Sequence, residues 1–298
     1  MEKKQQNFNN FSGFTIVITF FFLWVTVLFD VKAEAILAYF LIFTFGIFHG
    51  SNDLKLIQKS TSFSKSSFFL RALGSYLAVV GLTALFFSFV PSLALLFFVI
   101  ASSYHFGEQH WASLKIRSVL VTAFYTFYGM VIFFLLFYVN EEEVTPIIEK
   151  ISGFTVAKEV YLMFLVASFT GFIGIYFWWL FKKQIQVNIV KELFFLLVFF
   201  IVFKTASLLW AFSIYFVVWH SIPSLKDQIQ YLYGAVTKAS FMEYLKTSFL
   251  YWLVSMAGLA VLYYFFQDNE GLFLTIMIYF LAAITFPHVI VMTRLNRT

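Results

Sequence analysis

The sequence contains only five histidines, and each lies near the end of an apolar stretch. His49 closes "FGIFHGSND", His105 and His110 lie in "SSYHFGEQHW", His220 closes "FVVWHSIPS" and His288 lies in "ITFPHVIVM". A single histidine at a membrane interface is more often a headgroup-level or helix-capping residue than a ligand. Several imidazoles that project inward from different helices, however, can bind iron or another first-row metal. The five histidines therefore indicate a metal site in the core of a helical bundle.

Carboxylates stand close to two of these histidines in the sequence. Asp53 follows His49 by four residues, so on a continuing helix both side chains face the same way. Glu108 follows His105 by three residues. A carboxylate that accepts the second N–H of an imidazole fixes the tautomer and the orientation of the ring. We expect Asp53 to orient His49 without binding metal itself, and Glu108 is the candidate to orient His105.

The remaining two histidines have different expected roles. His110 follows His105 by five residues, about 140° round a helix, so both rings cannot easily point at one metal. Its position beside Trp111 also suits an interfacial residue. His288 follows Pro287, whose missing N–H opens the helix at that point. His288 is either a metal ligand or a residue of a cavity wall.

The composition requires a lipid environment for the elements that carry these residues. The 298-residue chain is 61% hydrophobic, has a mean hydropathy of +0.87 and is only 12% charged, whereas a soluble domain is about one quarter charged. Its apolar runs are continuous, unlike the alternating strands of a membrane β-barrel. We predict one all-α domain over residues 1–298, a polytopic membrane bundle of eight to ten transmembrane helices. Ten apolar segments can be drawn, at 14–29, 35–49, 68–90, 93–110, 118–139, 160–181, 190–203, 206–221, 248–266 and 271–292.

The basic residues predict the orientation of this bundle. Of the 20 Lys and Arg residues, 16 fall on one side, namely the N-terminus, the loops after even-numbered segments and the C-terminus. The other side has four: Lys32, Lys150, Lys158 and Lys204. The excess of positive charge in cytoplasmic loops places both termini in the cytoplasm of a cell whose inner membrane holds the protein. All five histidines then lie near the cytoplasmic ends of even-numbered segments, at similar depth.

Several other chemistries are disfavoured. The chain has no cysteine, which excludes thiolate metal sites and disulfides. It has no G-x-S-x-G, no H-E-x-x-H and no Gly-rich phosphate loop. The basic residues follow the topology, so a nucleic-acid partner is not expected. The aromatic content of 23% fits either a lipid-facing surface or a long apolar tunnel for a lipid-like substrate.

Four motifs in order, "HGSND", "SSYHFGE", "WHSIPSLKDQ" and "FPH", resemble the Brp/Blh family of membrane β-carotene 15,15′-dioxygenases. The resemblance implies a multi-spanning bundle with histidine-held Fe(II), in which O₂ cleaves β-carotene or a related carotenoid at a central double bond to retinal. It implies that His49, His105 and His220 occupy iron-ligand positions. A carotenoid, O₂ and membrane lipid are the expected partners, and a retinal-binding rhodopsin is a candidate acceptor of the product.

The chain departs from the family pattern at Ser224, where the family motif H-S-x-x-H carries a second histidine. We predict that His288 replaces it as the fourth ligand; His110, or water together with Glu108, is the alternative. A divergent substrate and a site that has lost its metal also fit the sequence. Two other functions remain open, a histidine-lined membrane transporter and a non-catalytic carotenoid- or haem-binding membrane protein.

Overall fold

The apolar segments form long helices. The computed structural model describes residues 2–61, 66–112, 114, 116, 118–185, 187–267 and 270–297, and these residues contain no β-strand. This result confirms the all-α class. The helices are α1 (Glu2–Leu28), α2 (Val31–Leu41), α3 (Asp53–Thr61), α4 (Ser66–Phe89), α5 (Pro91–His110), α6 (Val121–Val139), α7 (Glu141–Ser152), α8 (Lys158–Phe181), α9 (Ile189–Thr205), α10 (Leu208–Ile214), α11 (Ile222–Tyr233), α12 (Lys238–Phe266) and α13 (Glu270–Arg297).

Six helices among the described residues are long and apolar enough to cross a membrane. They are Phe68–Phe89, Val121–Val139, Lys158–Phe181, Leu208–Tyr233, Lys238–Phe266 and Leu274–Leu295. The other predicted segments correspond to α5, whose last turns are polar, and to the shorter apolar stretches of α1, α2 and α9. The protein is therefore a polytopic membrane bundle. The described residues contain six helices that are long and apolar enough to cross a membrane alone, fewer than the eight to ten that the apolar runs predicted.

The boundaries after Lys204 differ from the sequence prediction. The seventh and eighth apolar segments are separate helices, because α9 ends at Thr205 and α10 begins at Leu208. The chain then stays helical as far as Tyr233, beyond the end of the eighth predicted segment at residue 221. Gly234 ends α11 with a φ of +81°, which an L side chain rarely adopts.

Some of the residues used in the sequence prediction lie outside the described part of the chain. Lys65, Lys115 and Arg117 belong to the count of basic residues that predicted the topology.

Two glycines bring the backbones of α5 and α6 into close contact. A Cβ atom on Gly107 would lie 1.9 Å from the carbonyl oxygen of Tyr125, and one on Gly129 would lie 1.9 Å from that of Ser103. Only a residue without a side chain allows such an approach, as is typical of helix pairs in membranes. Gly107 follows His105 by two residues in the sequence, so this contact fixes the depth of that histidine against α6.

Aromatic side chains fill the interior on the other side of α6. Phe124, Tyr128, Phe172 and Trp179 are almost fully buried, and their rings pack between α6 and α8 at centroid distances of 4.8 to 5.2 Å. Other phenylalanines, such as Phe181 at 79% exposure, face outward. The high aromatic content thus serves both the packed interior and the lipid-facing surface.

Candidate metal centre

Four of the five histidines meet in the interior of the bundle. We call His49, His105, His220 and His288 the histidine cluster; each is at most 5% exposed. The rings form a closed square, with centroid distances of 5.2 Å from His49 to His220, 4.7 Å from His220 to His105, 5.0 Å from His105 to His288 and 4.8 Å from His288 to His49. Neighbouring rings are tilted by 77° to 90°. Four imidazoles thus surround one small volume.

The spacing of the nitrogen atoms is tightest for three of the four. His49, His105 and His220 each offer a nitrogen within 4.8 Å of the other two, and His288 stands outside this set. The ring centroid of His288 nevertheless lies 4.8 Å from that of His49 and 5.0 Å from that of His105, within the range of the other neighbouring pairs. The arrangement is a three-histidine set with a fourth imidazole at its side.

Two π-helical segments place two of these histidines. The first, Ile42–Gly46, lies just before His49, and the second, Tyr215–Ser221, contains His220. The two segments pack on each other, and a Cβ on Gly46 would lie 2.6 Å from the ring of Phe216. A π-helical turn adds one residue to a turn and shifts the following side chains round the axis, and such turns are frequent at functional sites. Here the shift aims His49 and His220 at one point.

Two carboxylates fix the start of the helix that leads to His220. Glu34 of α2, only 3% exposed, accepts a hydrogen bond from the backbone N–H of Ser207 at 3.0 Å. Glu143 of α7 accepts from the N–H of Leu208 at 3.2 Å. The first N–H groups of a helix have no partner within the helix and favour negative charge. Both carboxylates therefore fix the N-terminal end of α10, which is the end that lies farther from the histidine cluster.

The cluster has the properties of a metal-binding site because several buried ring nitrogens lack partners. Both nitrogens of His105, both of His220 and Nε2 of His288 are buried with no hydrogen-bond partner among the described residues. Leaving a buried polar group unpaired costs about 1–3 kcal/mol. A cation between the rings would satisfy one nitrogen of each. An all-imidazole set suits iron, zinc, copper or nickel.

The expected pairing of Asp53 with His49 is not what the structure shows. The Oδ1 atom of Asp53 lies 2.8 Å from Nδ1 of His288, and Oδ2 accepts a hydrogen bond from the hydroxyl of Tyr76 at 3.2 Å. The helix does not continue beyond His49: residues 49–52 form turns, and α3 begins only at Asp53. The four-residue spacing therefore does not bring the two side chains to one face. Asp53 orients the ring of His288 instead, with Nε2 left free.

Glu108 does not pair with His105 either. Its Oε1 accepts a hydrogen bond from the hydroxyl of Tyr104 at 2.6 Å, and its Oε2 accepts one from Thr293 of α13 at 3.1 Å. A separation of three residues leaves the two side chains about 60° apart round the helix. Glu108 therefore turns toward α13 and joins this helix to α5, while the ring nitrogens of His105 remain unpaired.

His110 lies in a separate cluster, as its helical angle relative to His105 suggested. Its Nε2 is 2.8 Å from a carboxylate oxygen of Glu192 and 3.0 Å from the hydroxyl of Tyr128. Glu192 and Tyr128 are buried at 2% and 0% exposure. The structure therefore offers no support for His110 as the substitute ligand.

Ser224 is fully buried and belongs to a hydrogen-bond network beneath His49. Its hydroxyl accepts from Nε2 of Gln228 at 3.1 Å, and the same amide donates to the backbone carbonyl of His49 at 2.7 Å. The hydroxyl of Tyr244 donates to Oε1 of Gln228 at 2.8 Å. Sequence analysis missed Gln228 and Tyr244. The sequence signal for Gln228 is its position one helical turn after Ser224, at the end of the "WHSIPSLKDQ" motif.

An apolar cavity of about 690 Å³ ends at the histidine cluster. Its walls run along the helices that carry the histidines, toward the start of each helix. They reach from His105 to Leu95 on α5 and from His288 to Leu274 on α13. At 1.5 Å per residue these distances are about 15 and 21 Å. Most of the lining therefore lies on one side of the histidines, along the bundle, and Gly50, Ser51, Asp53 and Leu54 complete it next to His49. Its shape and its lining suit an elongated hydrophobic molecule.

The fold and the site define a class: polytopic membrane proteins with a buried histidine cluster at the end of an apolar cavity. Within this class the chain belongs to a family described as "Beta-carotene 15,15'-dioxygenase", which it matches over residues 40–296. The match confirms the resemblance that the four motifs indicated. No curated protein and no solved structure matches the chain.

Proposed function

We propose that this protein is an iron-dependent dioxygenase that cleaves β-carotene, or a related carotenoid, at a central double bond to give retinal. One observation carries the proposal: the histidine cluster lies at the end of an apolar cavity, so a hydrophobic chain can reach the point where the imidazoles converge. Family membership supports the same reaction.

The reaction balances without further reactants. The central C=C bond and the O–O bond break, and each of the two carbon atoms receives one oxygen atom, so that one carotene and one O₂ give two aldehydes. No proton or electron enters or leaves. Fe(II) held by His49, His105 and His220, with His288 as the fourth imidazole, would supply the activation of O₂.

The protein contributes position and a dry environment. Asp53 holds Nδ1 of His288, so that Nε2 is the nitrogen free to bind metal. Gln228 fixes the backbone of His49. Phe106 and Phe216 stand beside His220 at ring distances of 4.4 and 5.7 Å, and such apolar walls exclude water from the reacting double bond.

The orientation is part of the proposal. Both termini face the cytoplasm of a cell whose inner membrane holds the protein, and the histidine cluster lies toward that face. Retinal then leaves to the lipid or to a retinal-binding rhodopsin.

The test uses purified protein in detergent, stripped of metal and reloaded with Fe(II). We expect loss of β-carotene absorbance, two retinals per carotene and one O₂ consumed per carotene, with no added reductant. Protein reloaded with Zn²⁺ is the matched control, because zinc binds imidazoles but has no redox chemistry. Unchanged β-carotene with the Fe(II) protein, or aldehydes of unequal chain length, would contradict the proposal.

A further inference from the structure

The cavity includes residues that also face the lipid. Leu250 and Val254, one turn apart on α12, line the cavity that reaches the histidine cluster, yet they are 62% and 63% exposed. A side chain that lines a cavity and is also mostly exposed marks the place where the cavity meets the outer surface. Because α12 is an apolar, membrane-spanning helix, this outer surface faces the bilayer.

One stripe of α12 forms this edge of the cavity. Tyr251 and Ser255 line the cavity beside Leu250 and Val254 and are partly buried. Leu253, on the same turns, is 46% exposed and is not part of the lining. The edge is thus specific to one face of the helix, which distinguishes it from lipid-facing surface in general.

The helix that forms this edge is loosely held. Only 6% of the residues in its most apolar stretch are buried, against 61% in Leu208–Tyr233, which carries His220. Its main packing partners are α13 and α11. Its polar anchors lie in the half that precedes Leu253: the hydroxyl of Tyr244 donates to Gln228 at 2.8 Å, and Nε1 of Trp252 donates to the carbonyl of Phe43 at 2.7 Å. The Trp252 ring also stacks on Phe48 at 5.0 Å. Elements with few buried contacts open at low free-energy cost.

The opposite end of the site is polar and hydrogen-bonded. The network of Ser224, Gln228 and Tyr244 is fully or almost fully buried and lies beneath His49. A path through this network would break hydrogen bonds between buried groups, each of which would then remain unpaired. An apolar molecule therefore meets a lower barrier beside Leu250 and Val254 than at the polar end, where Tyr244 of the same helix belongs to the network.

We propose that Leu250 and Val254 frame a lateral opening through which an elongated isoprenoid hydrocarbon dissolved in the bilayer enters the cavity. This inference rests on the proposed function, because it takes a carotenoid as the occupant. Entry from the lipid fits a substrate that partitions almost entirely into the membrane, and it needs no aqueous path to the histidines.

The test measures entry separately from cleavage. Metal-free protein in phosphatidylcholine vesicles is mixed with phosphatidylcholine vesicles that carry β-carotene, and binding is followed by the induced circular dichroism of the polyene. Leu250→Trp and Val254→Trp should slow entry about tenfold, a barrier increase of roughly 1.4 kcal/mol, with equilibrium occupancy within about twofold of the parent protein. Leu253→Trp is the matched control and should leave the entry rate unchanged.

The other outcomes decide against the opening. Unchanged rates in both variants, equal slowing in Leu253→Trp, or a lower occupancy at an unchanged entry rate would overturn it. So would slowing confined to Leu77→Trp, since Leu77 of α4 also lines the cavity and is 57% exposed. Failure of β-carotene to enter the parent protein would overturn it as well. If entry is slowed as expected but the Fe(II) protein leaves the bound β-carotene intact, the opening stands and the proposed reaction fails.

Discussion

The carboxylate of Asp53 and the imidazole of His288 are separated by 235 residues in the sequence and by 2.8 Å in the structure. Both side chains are buried, at 2% and 4% exposure. The contact uses Nδ1 of the ring and leaves Nε2 unpaired beside His49 and His105. A carboxylate on one nitrogen and a free second nitrogen is the usual arrangement of a metal-ligating histidine. The contact therefore supports His288 as the fourth imidazole of the proposed site.

The first prediction concerns metal retention at this pair. His288→Ala should lower metal affinity more than Asp53→Asn, because the first change removes a nitrogen ligand and the second removes only the group that orients it. Loss of the orienting carboxylate typically costs about 10–100-fold in affinity or activity. Competition of purified variants with a chelator, followed by elemental analysis, measures both. Equal affinity in His288→Ala and the parent protein would remove His288 from the ligand set.

The second prediction separates His110 from the site. His110→Ala should keep the bound metal, because its ring contacts Glu192 and Tyr128 and not the histidine cluster. It should lower stability by about 1–3 kcal/mol, because Glu192 then loses a buried partner. The double variant with Glu192→Gln should recover part of this loss. Metal content and thermal unfolding in the same detergent give the two results, and loss of metal in a folded His110→Ala protein would contradict the assignment.

The third prediction uses the contact between α5 and α6. Gly129→Ala places a methyl group against the backbone carbonyl of Ser103, which cannot move without displacing α5 and hence His105. We expect a loss of about 1–3 kcal/mol in stability, as in other overpacked interiors, together with weaker metal binding. Gly174→Ala on α8 is the control, since nothing lies within 4 Å of its added Cβ. Similar thermal unfolding of the two variants would show that α5 and α6 pack less closely than the distance of 1.9 Å from the added Cβ to the carbonyl oxygen of Ser103 implies.

The fourth prediction concerns topology. A reporter that is active only in the cytoplasm should be active when fused to the C-terminus, because 16 of 20 basic residues lie on the side of the chain that holds both termini. The same reporter fused after Asn140, between α6 and α7, should be inactive. The reverse pattern would place the histidine cluster toward the outer face of the membrane.

Composition and the continuous apolar runs were sufficient to predict the fold class, since a chain with 61% hydrophobic residues needs lipid to cover its surface. The four histidines could also be proposed as one group, because they lie toward the same end of apolar segments that run in the same direction. The residues that orient these histidines could not be predicted. The pairing of Asp53 with His49 assumed a continuous helix, whereas turns at 49–52 redirect the chain. The π-helical segments before His49 and at His220 shift the side chains by an amount that no helical wheel includes.

The last prediction addresses Ser224, the position at which the chain departs from the family motif. Its hydroxyl contacts Gln228, so it acts in the structure as an acceptor for an amide and not as a ligand. Ser224→Ala should therefore keep most of the metal affinity, within about threefold, since one hydrogen bond to a neutral group contributes about 1 kcal/mol or less. Gln228→Ala should weaken metal binding further, because it removes the amide that donates to the carbonyl of His49 at 2.7 Å and the acceptor of the Tyr244 hydroxyl at 2.8 Å. The longer contacts of that hydroxyl with the carbonyls of Phe48 and His49, at 3.2 and 3.4 Å, then hold this backbone less firmly. Gln228→Glu is the informative control: it keeps an acceptor for Tyr244 but loses the N–H that reaches His49. If His49 is positioned through its backbone, Gln228→Glu should resemble Gln228→Ala in chelator competition.

If Ser224→Ala alone abolishes metal binding in a protein that still unfolds cooperatively at the parent temperature, the hydroxyl is a ligand and the proposed role of His288 as the substitute is wrong.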